Sequence, residues 1–253
     1  MSRRGNYGRL TALALDPIEK KPLARFYPGR QILSVGTYGC NLRCPWCQNQ
    51  SISMPGLERR DDGVFDLRGL RLVSVTPREL AAQALAIEGN LGVAYTYNEP
   101  LTAFDFVRDT ARLVRDNGQK NVLVTNGCFG DRILDEVLPW IDAMNIDLKS
   151  FRPEGYRQIG GRLDVVQHFI ERAAAACHVE LTTLVVPGFS DGIEDMKREA
   201  AWIAAIDENI PLHISRFFPA FRMRDAAPTD PGLVRRLAET ARESLKYVYL
   251  GNM

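Results

Sequence analysis

Short apolar runs alternate with longer amphipathic stretches along most of the chain. From Thr76 the order is regular. "TPRELAAQALAIEGN" (76–90) has helical spacing, with Thr76 at the N-cap, Pro77 at the first helical position and Glu79 placed for a capping box. "GVAYTYNEP" (92–100) is a β-rich run that ends at proline. "LTAFDFVRDTARLVRDNG" (101–118) is again helical and stops at Asn117-Gly118. The alternation continues with "KNVLVTNG" (strand), "DRILDEVLPWI" (helix), "DAMNIDLKS" (strand) and "LDVVQHFIERAAAAC" (helix). It closes with "HVELTTLVVPG" (strand), "GIEDMKREAAWIAAIDEN" (helix), "PLHISRFFP" (strand), "PGLVRRLAETARESL" (helix) and "KYVYLGN" (strand). Upstream, "QILSVGTYG" (31–39) predicts a strand, 55–74 a loop, and "DPIEKKPLARFYPG" (16–29) irregular structure or edge strands.

Strands alternating with helices predict βαβ units, a parallel sheet and right-handed crossovers. About six such units plus a last strand fall short of the eight of a closed barrel. The expected fold is α/β, an open partial (β/α)6 barrel, with a doubly wound sheet as the alternative. Residues 1–29 form an N-terminal extension and 30–253 the barrel domain. In either fold, function collects at the C-terminal ends of the strands. Polar groups do gather there: a cysteine loop, then "YNEP", "TNG", "DLK", "PGFSD" and "SRFFP". Taken singly, a Glu-Pro is a turn and an Asp-x-Lys a solvated pair. Together they describe one polar rim.

Composition narrows the picture. The chain has 253 residues, 45% hydrophobic and 25% charged, which is ordinary globular composition. A net charge of +1, from 32 basic and 31 acidic residues, gives no global case for nucleic acid or an anionic membrane as partner. No apolar run has the length of a signal peptide or a membrane span, so a soluble cytoplasmic protein is expected.

Five cysteines is an odd count, and three of them fall in "TYGCNLRCPWCQNQ" (37–50). With no export signal, a metal or cluster role is favoured over a disulfide framework. Cys40, Cys44 and Cys47 have the spacing C-x3-C-x2-C. Structural zinc and most iron–sulfur clusters want four ligands. His168, His178 and His213 are all distant in sequence, and Cys128 and Cys177 stand alone as candidate small buried hydrophobes. Three ligands without an evident fourth suggest an open, reactive coordination position.

The cysteine spacing, with Trp46 immediately before the last cysteine, resembles the signature of the radical S-adenosylmethionine (SAM) enzymes. "GCNLRCPWCQN" resembles the branch containing pyruvate formate-lyase activating enzymes. The strongest likeness is to radical SAM enzymes of the AmmeMemoRadiSam system, through "DPIEKKPL", "YTYNEP", "TNG", "DLK", "VPGFSD", "HISRFFPAFRM" and "YVYLGN".

The resemblance implies that Cys40, Cys44 and Cys47 ligate a [4Fe-4S] cluster whose free iron chelates SAM. Reductive cleavage of SAM would then yield a 5′-deoxyadenosyl radical that abstracts hydrogen from an unidentified substrate. It implies cofactor-binding roles for Trp46 near adenine, Asn98 and Glu99 of "YNEP", and Thr125 and Asn126 of "TNG". Glu99 would accept from the methionyl ammonium. Lys149 would pair with the SAM carboxylate and Asp147 with ribose hydroxyls or a cation, while His213 and Arg216 would contact adenosine or substrate. Tyr97 and Asn98 replace two glycines of the commoner family element, so the backbone there loses freedom. Val124 stands where activases have an aspartate of a cation site. No second cysteine cluster is present, so a flavodoxin or ferredoxin would donate the electron, and a protein is a candidate substrate. A glycyl-radical activase is the alternative enzyme. A zinc-stabilised or electron-transfer protein is the non-catalytic alternative.

Overall fold

The computed structural model describes residues 5–56 and 66–253, so 57–65 of the expected 55–74 loop lie outside the described residues. In chain order the strands are β1 (Arg9–Leu10), β2 (Ala12–Pro17), β3 (Gln31–Gly36), β4 (Val73–Ser74) and β5 (Asn90–Tyr95). They continue with β6 (Lys120–Thr125), β7 (Ala143–Asp147), β8 (His178–Val185), β9 (Leu212–Arg216) and β10 (Val248–Gly251). The helices are α1 (Gln50–Ser53), α2 (Pro77–Ala86), α3 (Phe104–Asp116), α4 (Asp131–Val137), α5 (Pro153–Gln158), α6 (Leu163–Ala174), α7 (Ile193–Asp207) and α8 (Pro231–Arg242). The capping box of α2 forms in both directions: Glu79 N–H donates to Thr76 Oγ1 at 3.2 Å, and Thr76 N–H to the Glu79 carboxylate at 2.7 Å.

The main sheet runs β2-β3-β5-β6-β7-β8-β9-β10, while β1 and β4 pair antiparallel elsewhere. From β3 to β10 every pairing is parallel, and β2 joins the edge antiparallel to β3. The order follows the chain without reversal. A doubly wound sheet reverses at a switch point, so the fold is the singly wound, open partial barrel. One face of the sheet packs on the helices: Leu33, Val35, Val93, Leu123, Met144, Ile146, Leu181 and Ile214 share a core with α2, α3, α6, α7 and α8. A bulge in β5 places Leu91 and Ala94, three residues apart, on the opposite face. Gly92 carries that bulge at φ 154°, where a Cβ would stand 1.9 Å from the Lys120 carbonyl oxygen.

The opposite, inner face is filled by the N-terminal segment itself. Beyond β2, residues 18–26 cross it: Ile18 and Leu23 are fully buried against Ile32, Leu91, Ala94, Val122 and Ala143. Each such side chain contributes roughly 1.5–3 kcal/mol of burial. Asn145 Nδ2 donates to the Pro22 carbonyl at 2.8 Å. The Ala24 and Arg25 N–H groups donate to the two oxygens of Glu180 at 2.9 and 2.8 Å. Glu180 is buried near the start of β8 and also meets the Nε2 atoms of His178 and His213, at 2.9 and 2.6 Å. Burial alone would raise its pKa, but these four partners hold it down at about 2. Only Asp16 and Pro17 of "DPIEKKPLARFYPG" belong to the edge strand β2, and the irregular segment beyond it packs as an internal plug across the sheet. Its proline and charge pattern hides this, because its burial is set by what the sheet leaves open.

Candidate active site

The cysteine loop leaves β3 and folds against the turn after β5. Asn98 clamps the two together: its Oδ1 accepts from Thr37 N–H at 3.0 Å, and its Nδ2 donates to Thr37 Oγ1 at 3.1 Å and to the Gly39 carbonyl at 2.9 Å. Asn49 Nδ2 donates to the Tyr97 carbonyl at 2.7 Å. Within the loop, Cys47 N–H donates to the Cys44 carbonyl at 3.2 Å, which turns the chain between them. The Leu42 N–H and Asn126 Nδ2 point at Cys40 Sγ, at 3.4 and 3.7 Å.

A cavity of about 330 Å³ opens at the C-terminal ends of the strands. Cys40, Cys44, Cys47 and Trp46 line it together with Asn98, Glu99, Thr125, Asn126, Asp147 and Lys149. Ten of the twelve expected site residues therefore meet in one space. Trp46 is mostly buried, tilted on Phe189 with ring centroids 4.4 Å apart. Val124 also faces the cavity, an apolar group where an activase-type cation site would need a carboxylate.

Glu99 is buried and held on three sides. Thr125 Oγ1 and Leu101 N–H donate to one oxygen at 2.8 and 3.0 Å, and Asn126 N–H to the other at 2.8 Å. Burial outweighs these donors and pushes its pKa up to about 7. A cation placed against Glu99 would restore its charge. Asp147 supplies the charge at the facing wall, with its carboxylate 2.9 Å from Lys149 Nζ. Burial works against the Lys149 ammonium, but Asp147 and the sulfurs of Cys44 and Cys47 outweigh it and keep the side chain cationic.

Burial, with Glu99 adding, pushes the Cys40 thiol up to about 12; burial, partly offset by Lys149, pushes Cys44 up to about 11. Thiols so placed become ligands only when a positive inorganic centre holds them as thiolates. Among the described residues, no three His, Cys, Asp or Glu side chains converge on one ion position. A cubane cluster gives each cysteine its own iron, and three cysteines lining one cavity with no fourth cysteine beside them are a donor set compatible with that centre.

His213 and Arg216 do not line the cavity. His213 points to the sheet interior, bound to Glu180 and stacked on Tyr249 at 5.2 Å between centroids. Arg216 Nε donates to the Thr229 carbonyl at 2.7 Å, with the guanidinium over Phe218. Cys128 is also outside, and its carbonyl accepts from Asn41 Nδ2 of the cysteine loop at 2.9 Å. A wider groove of about 720 Å³ lies at the other end of β8 to β10, lined by Arg25, Cys177, His178 and Tyr247 among others, and none of the rim residues reaches it.

Among the lining groups outside the expected set are Lys20, Lys21 and Tyr97. Tyr97 has φ 71°, a left-handed conformation that costs a side-chain-bearing residue about 1–2 kcal/mol. The family's glycine would adopt it freely. Here the Tyr97 hydroxyl donates to Asp16 Oδ2 at 2.6 Å, and Lys21 Nζ stands 4.8 Å from the ring centroid. "DPIEKKPL" carried the signal, two lysines beside a proline-flanked turn, but only the fold reveals that they face the cavity.

Similarity to known proteins agrees with this geometry. Uncharacterized protein MJ0808 of Methanocaldococcus jannaschii is 37% identical over 252 residues, covering 98% of this chain and 71% of that protein. A domain of pyruvate-formate lyase-activating enzyme from Bacteroides vulgatus superposes with TM-score 0.55 at 18% identity, over 64% of this chain and 99% of that one. Streptococcus suis SuiB bound to S-adenosylmethionine gives TM-score 0.59 at 15% identity, over 84% of this chain and 48% of that one. SuiB bound to precursor peptide SuiA gives 0.61 at 14%, over 84% and 47%. At these identities the structures share the fold. Residues 34–200, which carry the cysteine loop, "YNEP", "TNG" and "DLK", match the Radical SAM superfamily, and to that superfamily the chain belongs.

Proposed function

We propose that this chain binds a [4Fe-4S] cluster and S-adenosylmethionine in the 330 Å³ cavity and uses them to abstract hydrogen from a substrate. The observation that carries the reading is the single cavity that joins three cysteines, a buried carboxylate and a carboxylate-paired lysine. When bound, the reduced cluster supplies the electron that cleaves S-adenosylmethionine to a 5′-deoxyadenosyl radical.

In this reading Cys40, Cys44 and Cys47 hold the cluster, with Leu42 N–H and Asn126 Nδ2 directed at the Cys40 sulfur. Such hydrogen bonds stabilise a thiolate and tune the potential. Glu99 accepts from the methionyl ammonium and loses its proton on doing so. Lys149 pairs with the carboxylate of S-adenosylmethionine, and Asp147 is left to orient Lys149 or meet the ribose. Thr125, Asn126 and Asn98 fix Glu99 and its turn, and Trp46 closes one wall near the adenine. Cys128 and Cys177 are too few for a second cluster, so the electron comes from a flavodoxin or ferredoxin. SuiB acts as support for a protein substrate through its precursor-peptide complex. A glycyl-radical activase is the second reading, and the Tyr97-Asn98 pair in place of two glycines sets this chain apart from it.

The test is iron and sulfide analysis with electron paramagnetic resonance after anaerobic reconstitution. About four iron and four sulfide per chain, with a reduced signal that changes on adding S-adenosylmethionine, supports the proposal. Stoichiometric zinc with no iron uptake refutes it.

A further inference from the structure

Resting on the radical SAM reading of the cavity, we infer that Lys21, assisted by Lys20, recognises an anionic group of the substrate, a carboxylate or a phosphate. Asp16 is the centre of the arrangement. Its Oδ1 meets Lys20 Nζ at 3.2 Å, and its Oδ2 meets Lys21 Nζ at 2.9 Å and the Tyr97 hydroxyl at 2.6 Å. Two cations thus share one carboxylate, and one positive charge is left over at this wall.

The two lysines differ in depth. The Lys20 side chain is 66% exposed and that of Lys21 is 2% exposed, yet both line the cavity. One ammonium is therefore open to solvent and the other is buried. Lys21 donates one hydrogen bond, to Asp16, and its other N–H groups meet no acceptor among the described residues. Burial draws its pKa down, but the Asp16 pair opposes this.

A purely structural role explains these features poorly. Burying an ion pair seldom adds net stability, since apolar side chains of the same volume do as well. The same wall also keeps Tyr97 in a left-handed conformation. Two costly features side by side on the wall of a reaction cavity point to use. Glu99 and the Asp147–Lys149 pair are already committed to S-adenosylmethionine, so Lys21 is the buried cation left for a second ligand.

The test uses reconstituted protein loaded with S-adenosylmethionine. Inorganic phosphate and acetate are titrated calorimetrically into wild type, Lys21→Met and Lys21→Arg. Binding of phosphate alone identifies a phosphorylated substrate, and binding of acetate alone a carboxylate. The inference predicts that Lys21→Met weakens the binding anion at least about tenfold, that Lys21→Arg restores most of it, and that S-adenosylmethionine affinity falls by a much smaller factor. Hydrogen exchange on wild type alone is the second measurement, with anion-dependent protection expected in segments 12–26 and 95–99. The inference is overturned if neither anion binds, if Lys21→Met binds it equally, or if both ligands weaken by the same factor. A wild type that releases no 5′-deoxyadenosine would instead overturn the radical SAM reading, so the two failures are distinct.

Discussion

Glu180 is the anchor of the internal plug, and replacing it by alanine tests that architecture. The carboxylate takes hydrogen bonds from Ala24 N–H, Arg25 N–H, His178 and His213. Truncation orphans two part-buried backbone N–H groups, each at the lower end of about 1–3 kcal/mol, and leaves a small cavity, for a loss of roughly 2–4 kcal/mol. A second route gives the same order. The four partners hold the carboxyl at about 2 against an ordinary 4.5, and at about 1.4 kcal/mol per unit this is roughly 3–4 kcal/mol. That contribution is complete above the ordinary carboxylate pKa and fades as pH falls toward 2. Urea unfolding at neutral pH, followed by circular dichroism, measures the loss. Glu180→Gln keeps one acceptor oxygen but turns an amide donor toward the plug, so it should fall between wild type and Glu180→Ala. Hydrogen exchange in segment 18–26 should rise in parallel. A loss below about 1 kcal/mol for Glu180→Ala, with no change in exchange, would refute the reasoning.

Two further outcomes follow from the cavity. Glu99, with its pKa pushed up to about 7 by burial, is neutral below that pH and must release a proton to pair with an ammonium. S-adenosylmethionine affinity should therefore fall by up to about tenfold per unit as pH drops below 7 and level off above it, and Glu99→Gln should flatten the profile in calorimetric titrations. At Tyr97, both Tyr97→Gly and Tyr97→Ala lose the Asp16 hydrogen bond, but only alanine retains the left-handed strain. Tyr97→Gly should be the more stable by about 1 kcal/mol in urea unfolding, and equal stabilities would remove the strain argument.

The sheet and its helices were legible because each strand is an apolar run and each helix carries its own signals. The Thr76–Glu79 box and the stop at Asn117-Gly118 are local chemistry, and both form as the residues dictate. The strand-end rule then gathered ten of the expected site residues into one cavity. What the sequence concealed depends on tertiary complement. The burial of Lys21 comes from Asp16, Tyr97 and the open face of the sheet. His213 and Arg216 sit in the strand after which function was expected, but His213 is turned inward by Glu180 and Arg216 is drawn away by the Thr229 carbonyl. The left-handed Tyr97 belongs to the same class, since nothing in "YNEP" states a φ value.

The central claim is that Cys40, Cys44 and Cys47, acting with Glu99, make this cavity a site of reductive S-adenosylmethionine cleavage. Release of 5′-deoxyadenosine from the reconstituted, reduced protein tests it most directly. The account predicts release by wild type, loss in Cys44→Ala, and retention in Cys128→Ala, whose sulfur lies outside the cavity. Equal release from wild type and Cys44→Ala, or none from either after full cluster loading, would contradict it.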